Sequence, residues 1–498
     1  MTAAALAGIA FVLILSVLVG TVRPRRYTSV QEFYVAARAV RPWWNGAAIG
    51  SEFTSAAACL GLAGLIATHG ASMLWYPVGA AAGFVVMLAL VVAPLRRSGT
   101  YTLPDFAQWR LASSLLRRFT TCIVLAIGLV YLVAQLHAAG LVLKLLTGLP
   151  PWAGWLAVAG ATVLVAAVGG MGSATSVQAT QFWLKLVVFT GVGLVLWFAW
   201  AYGGTPDVSG FARPYSGESL AGAGDPSLAG VLTVLLACAL GTMGLPHVVV
   251  RVYANPTGGS ARRSIVATQV LLAGFFLVPP LYGILGHVYV PDGQVDEIVL
   301  LLPARMLPGP LGDLLTGLLA AGAFAAFLAT SCGVLVAVAG AVSSCVSRPG
   351  VGTFRASLGV VVVAALGLTW LSTPGSSVLL VLVGFSLSAA TFCPLLVLGL
   401  WWRRLTDAGV FAGFVVGGGL TLVAVVGEAA GVKLGLAGQY PAAFVVPLAF
   451  AVMVAISLVT PGRVPSGVDR MMARMHLPED SAGPGIDRSS PPVDRSPS

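Results

Sequence analysis

Apolar residues in this chain do not alternate with polar ones in the short rhythms of a water-soluble fold. They come in long blocks divided by short polar breaks. A bilayer core about 30 Å thick is crossed by about 20 apolar residues in a helix. Blocks of about that length or longer fall at 3–22, 43–68, 72–95, 119–147, 151–172, 178–203, 228–250, 264–290, 310–346, 353–373, 376–402, 408–428 and 441–460. The pattern predicts an all-α polytopic membrane protein with thirteen transmembrane helices. After Pro461 the apolar signal stops. The stretch 461–498 is rich in Pro, Ser, Asp and Arg, and is expected to be a disordered tail because it cannot bury a core.

Two blocks are written unlike simple lipid-facing helices. Gly50 to Gly64 carries a carboxylate, Glu52, three hydroxyls, Ser51, Thr54 and Ser55, and many small residues. Such residues let a backbone open, so that carbonyls face a ligand and not the next turn. The block 228–250 contains Gly241, Gly244 and Pro246. Glycine weakens a helix and proline removes one of its hydrogen bonds. These interrupted blocks lie five apart in the order. A pair of broken helices at matching positions of two five-helix halves points to the binding site of a transporter.

Composition narrows the class. The chain is 58% hydrophobic and only 9% charged, against about 25% charged in soluble domains. Its net charge is +10, from 24 Arg and 3 Lys. The basic residues do not form a nucleic-acid-binding patch. Twenty-two of them fall in the loops of one side and in the tail. The other side holds Lys144, Arg213, Arg305 and Lys433, and Lys185 lies within a block. By the positive-inside rule the N-terminus is outside and the C-terminus cytoplasmic, which agrees with an odd number of spans. The first block lacks a basic leading segment and is read as a true span. The six cysteines show no metal or disulfide spacing and are read as packing residues. No zinc-protease, nucleophile-elbow or paired-carboxylate motif suggests an enzyme.

Individual residues carry further expectations. An ionised carboxylate within a span costs about 2.5–3.5 kcal/mol, so Glu52 should face a cavity or a partner unless it lies close enough to the cytoplasmic end to be hydrated. Arg251 is expected as an interface anchor or as the cation of an inner-gate ion pair. Lys185 is expected to snorkel toward the interface. His137 and His247 are read as packing residues. Asp105 should pair with Arg97 or Arg110, or cap the helix after Pro104.

Several stretches together resemble the sodium:solute symporter family, and within it the acetate and monocarboxylate permease-like branch. They include Tyr34-Val35-Ala36-Ala37-Arg38, Trp43-Trp44-Asn45-Gly46 and Ser55-Ala56-Ala57-Ala58-Cys59-Leu60-Gly61-Leu62-Ala63-Gly64. Others are Tyr101-Thr102-Leu103-Pro104-Asp105-Phe106, Tyr131-Leu132-Val133-Ala134-Gln135-Leu136 and Gly169-Gly170-Met171. Gln178-Ala179-Thr180-Gln181-Phe182-Trp183-Leu184-Lys185, Gly244-Leu245-Pro246-His247-Val248 and the helix from Phe324 to Gly340 complete the set. The resemblance covers about residues 30–430, in order.

The resemblance implies a LeuT-type fold of two inverted five-helix repeats and sodium-coupled uptake by alternating access in the cell membrane. It divides the chain into a leading helix and loop (1–42), a first repeat (43–203), a second repeat (204–402), two trailing helices (403–460) and the tail (461–498). It assigns sodium, as the co-transported ion and not a cofactor, to the carbonyls of Ser51, Thr54 and Ala326 and to the hydroxyls of Thr330 and Ser331. Where the family has a further hydroxyl this chain has Ala329, which leaves a proton open as the coupling ion. Glu52 and Arg251 are each named as candidate coupling or gating residues, Glu52 as a sensor of the ion's field or a proton site. The substrate, a short-chain monocarboxylate or another small solute such as proline, would lie among Ala56, Ala57, Ala58, Cys59, Tyr131, Gln135, Gly241, Thr242, Met243 and Gly244. A membrane sensor is the reading from another class, and 461–498 is too short and polar to be its signalling domain.

Overall fold

The computed structural model describes residues 2–21, 30–203, 228–346, 350–373, 376–429 and 441–478. Regular elements among these residues are all helical. The chain begins with α1 (Thr2–Thr21), α2 (Val30–Val35) and α3 (Pro42–Phe53), followed by a π-helical turn at Ala57–Gly61 and α4 (Leu62–His69). Next come α5 (Trp75–Leu90), α6 (Val92–Ser98), α7 (Leu103–Leu111), α8 (Ser114–Thr147) and α9 (Pro151–Tyr202). The order continues with α10 (Leu228–Gly244), α11 (Pro246–Tyr253), α12 (Gly258–Phe275), α13 (Val278–Tyr289), α14 (Ile298–Met306) and α15 (Pro310–Ser344). It closes with α16 (Val351–Leu371), α17 (Ser377–Trp401), α18 (Asp407–Ala429), α19 (Pro441–Val459) and α20 (Val468–His476).

Eleven helices among the described residues are long and apolar enough to cross a membrane, where the block pattern gives thirteen. The difference comes from blocks that run together. Blocks 151–172 and 178–203 are two helical stretches of α9, counted as one and joined across a kink at the non-helical Gly169 (φ −133°, ψ 15°) and Gly170 (φ 52°, ψ −136°). Gly170 lies against Phe33, so a side chain there would meet both strain and a neighbour. Blocks 43–68 and 72–95 are redistributed. Helix α3 is only 12 residues long, and Ala57–Leu90 forms one apolar stretch that turns at Gly70 (φ 74°, ψ −157°).

Helix α15 forms the centre, packed against α1, α8 and α9. Of its most apolar window 94% is buried, against 28% in α1 and in α16. A helix that is apolar all round is hidden in protein or faces lipid. Here α15 does the first, while α16 leaves Val360, Val363, Trp370 and Leu371 exposed. Helix α3 packs along α12, and α5 packs along α10.

Arginines lace one end of the bundle together. Arg38 donates to the Gly99 carbonyl at 2.8 Å and lies 4.9 Å over the Tyr101 ring. Buried Arg110 donates to the carbonyls of Gly399 and Trp402 at 2.8 and 2.9 Å. Asp105 pairs with Arg117 at 2.9 Å, not with Arg97 or Arg110, and the cap of α7 is the Thr102 hydroxyl. The reach from α7 to the first turns of α8 places Arg117 nearer than either expected partner.

The first part of the expected disordered tail is ordered. Helix α20 buries Val468, Met472 and Met475 on one face and packs against α6. Its His476 ring lies 4.7 Å from Trp401, its Arg474 lies 6.0 Å over Trp109, and Arg97 donates to the His476 carbonyl. Three apolar side chains at helical spacing were enough to dock a segment whose average composition is polar. Residues 479–498 lie outside the described residues, as do Arg23, Arg25, Arg26, Arg213, Arg348 and Lys433.

At the opposite end, buried Asp296 accepts from the Ser377 amide at 2.7 Å and from its hydroxyl at 3.0 Å. Burial pushes this carboxyl from its ordinary 3.8 up to about 6. The folded chain therefore holds the proton more tightly than the unfolded chain. Stability should fall as pH rises from 3.8 through about 6, by on the order of 3 kcal/mol. Asp296→Asn should flatten the thermal midpoint over this pH window. A slope as steep as the parent's would rule Asp296 out as its source.

Candidate ion and substrate site

Pro42 starts α3 at a position where a missing N–H costs nothing, after Arg41 in extended geometry. The helix ends abruptly at Thr54 (φ −78°, ψ 66°). In an unbroken helix the carbonyls of Ser51, Glu52 and Thr54 would accept from the amides of Ser55, Ala56 and Ala58. Here Ser55 N–H turns to the Phe53 carbonyl at 2.9 Å, and Ala58 N–H to that of Ser55 at 3.1 Å. Ala56 N–H leaves the helix for the Gln135 side-chain oxygen at 3.0 Å. Three carbonyls are thereby released in the protein interior, and each needs a partner.

Side chains from two other helices take them up. The Lys185 ammonium of α9 donates to the Ser51 carbonyl at 2.7 Å, the Thr54 carbonyl at 2.9 Å and the Thr54 hydroxyl at 2.7 Å. The Thr54 hydroxyl passes its own proton to the Gly50 carbonyl at 2.9 Å. The Thr330 hydroxyl of α15 donates to the Glu52 carbonyl at 2.8 Å. Lys185 does not snorkel: it is fully buried, because the released carbonyls are nearer than any interface. Its helical face also carries Thr175, Gln178 and Phe182, and the Phe182 ring packs on Gly50.

The two charged candidates, named separately in the sequence, form an ion pair with each other. Arg251 Nη2 and Glu52 Oε1 lie 2.9 Å apart, and both side chains are fully buried. Glu52 is therefore not a hydrated end-of-span residue, and Arg251 is not an interface anchor. Gln178 donates to Glu52 Oε1 at 2.9 Å and to the Ala329 carbonyl at 2.7 Å, and its own oxygen accepts from Arg251. Gly333 makes room for this, since a Cβ there would overlap the Glu52 carboxylate. The Ala329 position, which lacks the expected hydroxyl, thus contributes through its backbone.

The proposed sodium set is only partly gathered. Ser51, Thr54 and Thr330 meet at the break, and Ala326 lies one turn before Thr330 on the same face. Ser331 does not join them. One residue further on, it is rotated by about 100°. It lines a small cavity with Leu132, Leu136, Thr162 and Ala365.

All ten expected substrate residues are buried. Tyr131 and Gln135 lie one turn apart on α8. The Tyr131 hydroxyl and the Gln135 amide nitrogen have no hydrogen-bond partner among the described residues. The Tyr131 ring touches His247 at 4.9 Å and Phe385 at 6.3 Å. The second break comes at Leu245 (φ −57°, ψ 120°), between α10 and Pro246 at the start of α11. Gly241 and Gly244 face α17: a Cβ on either would meet Phe385, or Ser388 and Phe392. Their small size serves close packing between α10 and α17. Thr242 likewise packs against Gly83 of α5.

The sequence profile of the sodium:solute symporter family matches residues 33–417, most of the chain. The chain belongs to the sodium:solute symporter family. This symporter is 29% identical over 421 residues to the uncharacterized symporter YwcA of Bacillus subtilis, covering 79% of this chain and 80% of that one. It is 28% identical over 428 residues to a monocarboxylic acid transporter of Corynebacterium glutamicum, with 78% and 76% covered. Its fold is similar to that of a Na+-coupled sialic acid symporter in a substrate-bound outward-open state. There the TM-score is 0.70 at 14% identity, over 92% of this chain and 98% of that one. Mhp1, a nucleobase-cation-symport-1 family transporter in a closed conformation, gives 0.57 at 14% identity, over 88% and 97%. The symporter is thus a multi-pass membrane protein and a cation-coupled solute carrier, not an enzyme.

Proposed function

We propose that this symporter couples inward flux of a cation, sodium or a proton, to uptake of a short-chain monocarboxylate such as acetate, propionate or pyruvate. It would act across the plasma membrane by alternating access, with the N-terminus outside and the C-terminus in the cytoplasm. The observation that carries the reading is the charge at the break. Two buried cations, Lys185 and Arg251, face one buried carboxylate, Glu52. Burying an uncompensated charge is costly, so a site left with one excess positive charge favours an anionic solute. The unpartnered Tyr131 hydroxyl and Gln135 amide supply donors suited to a carboxylate. The monocarboxylic acid transporter among the relatives supports the same class.

Two five-helix halves are part of this proposal. The broken helix α3 packs along α12, which follows the second break, and the broken helix α10 packs along α5, which follows the first. This exchange of partners is what a two-fold relation between halves would produce, and it supports an inverted repeat. The lacing of basic loops at one end supports the proposed orientation.

Counterflow of labelled acetate, pyruvate and proline into proteoliposomes tests the solute class. Uptake of the two monocarboxylates is expected, and uptake of proline alone would overturn the reading. Tyr131→Phe should raise the half-saturating acetate concentration by about tenfold, the equivalent of one hydrogen bond to a charged group. Its thermal midpoint should not fall, since the hydroxyl has no partner to lose.

A further inference from the structure

The carbonyls that the family resemblance assigns to sodium already hold a cation. Lys185 presents three N–H donors, and three acceptors receive them at hydrogen-bonding distance: Ser51 O, Thr54 O and Thr54 Oγ1. The Thr54 hydroxyl is oriented for this role, since its proton is committed to Gly50 O. Each acceptor of this group is engaged by the ammonium, and the oxygens of the same segment without a partner among the described residues are Ser51 Oγ and Glu52 Oε2. Of the remaining expected ligands Ser331 faces another cavity, and Thr330, whose proton goes to the Glu52 carbonyl, and Ala326 are too few oxygens to surround an ion by themselves. A sodium ion needs several oxygens around itself, and here the same oxygens surround a nitrogen.

We infer that Lys185 is the resident cation of the ion position, an ammonium tethered to α9 that fills this site in place of sodium. The lysine performs the structural task expected of the ion. It binds the two carbonyls released on either side of the kink and fixes the broken helix against α9. It also supplies the positive charge that, with Arg251, offsets Glu52 and leaves one charge for an anionic solute. Sodium beside it would place two unit charges on one pair of carbonyls in a water-poor interior. The sequence departure at Ala329 fits the same arrangement, because a site filled by a lysine does not need a second hydroxyl from α15. The inference rests on reading this break as the ion position of a cation-coupled symporter. It does not depend on which solute is carried.

The test is equilibrium binding of radioactive sodium to the purified full-length protein in lipid nanodiscs. The parent protein should show no saturable sodium binding that depends on Thr54. Lys185→Ala should expose the Ser51 and Thr54 carbonyls and gain about one sodium per chain, and Lys185→Met, which keeps the stem, should gain less. The inference is overturned by either of two results. One is saturable sodium binding in the parent that Thr54→Ala or Thr330→Ala abolishes. The other is a folded, monodisperse Lys185→Ala protein that gains none. The parent measurement stands alone if the lysine variants fail to fold. Labelled acetate counterflow on the same preparation separates the two readings: absent acetate exchange with the expected sodium pattern removes the solute class and leaves the tethered cation standing.

Discussion

Glu52→Ala is expected to be the most damaging single substitution in the chain. The change removes the only carboxylate that pairs with the Arg251 guanidinium among the described residues and leaves two buried cations, Arg251 and Lys185, without their counter-charge. Breaking a buried ion pair from one side typically costs about 3–5 kcal/mol, because the remaining charge stays buried. A marginally stable protein loses much of its folded population at that cost. Gln178 cannot compensate. Its amide already donates to Ala329 O, and without Glu52 one of its bonds is also lost. Removing both charges together, as Glu52→Gln with Arg251→Met, should cost less than Glu52→Ala alone. The thermal midpoints of the single and double variants, measured in one detergent, give the coupling energy of the pair. A Glu52→Ala protein within about 1 kcal/mol of the parent would show that the pair is not needed for folding.

Gly64→Ala should have the second largest effect. A Cβ on Gly64 would overlap the carbonyl oxygen, carbonyl carbon and Cα of Val295. Both sides of this contact are backbone, so no rotamer change can relieve it. Overpacking costs about 1–3 kcal/mol when side chains can shift, and here α4 or the 290–297 loop must move as a unit. Val295 adjoins Asp296, so displacement should also weaken the two hydrogen bonds that Asp296 receives from Ser377. Gly160→Ala is the control, with no atom within 4 Å of its added Cβ. It should be neutral or stabilising by about 0.5–1 kcal/mol, as expected for alanine over glycine inside a helix. Equal midpoints for the two variants would refute the argument.

Most of the apolar blocks and both breaks could be read from the chain, because lipid imposes long apolar blocks and a break needs glycine, proline or hydroxyls. Glu52 stood out for the same reason, since a charge inside an apolar block needs an explanation, whereas Arg251 follows the block 228–250 and reads as readily as an interface anchor. What could not be read was direction around a helix axis relative to a distant neighbour. Lys185 is expected from sequence to snorkel, yet the face it shares with Thr175, Gln178 and Phe182 lies on α3. A signal was present in the spacing of Gln178 and Lys185, two turns apart opposite a segment rich in hydroxyls. Ser331 failed as a ligand through the same lack of direction, since one residue's rotation separates it from Thr330. Gly241 and Gly244 are small for the benefit of α17, a partner more than 140 positions away in sequence that no local pattern identifies. Helix α20 was missed because composition averaged over 461–498 hides three apolar residues on one face.

Helix α20 leans on α6 in the first proposed half and on α17 in the second, through Arg97, Trp401 and the same terminal residue, His476. In mechanical terms, in the proposed alternating-access cycle, it would be a strut across the joint between the two halves. Rocking that parts α6 from α17 must release one of its two footings. The spacing between those footings is then a ruler for the working cycle, and a pair of probes placed on α20 and α17 would read the carrier's stroke from its aqueous edge without touching the transport path.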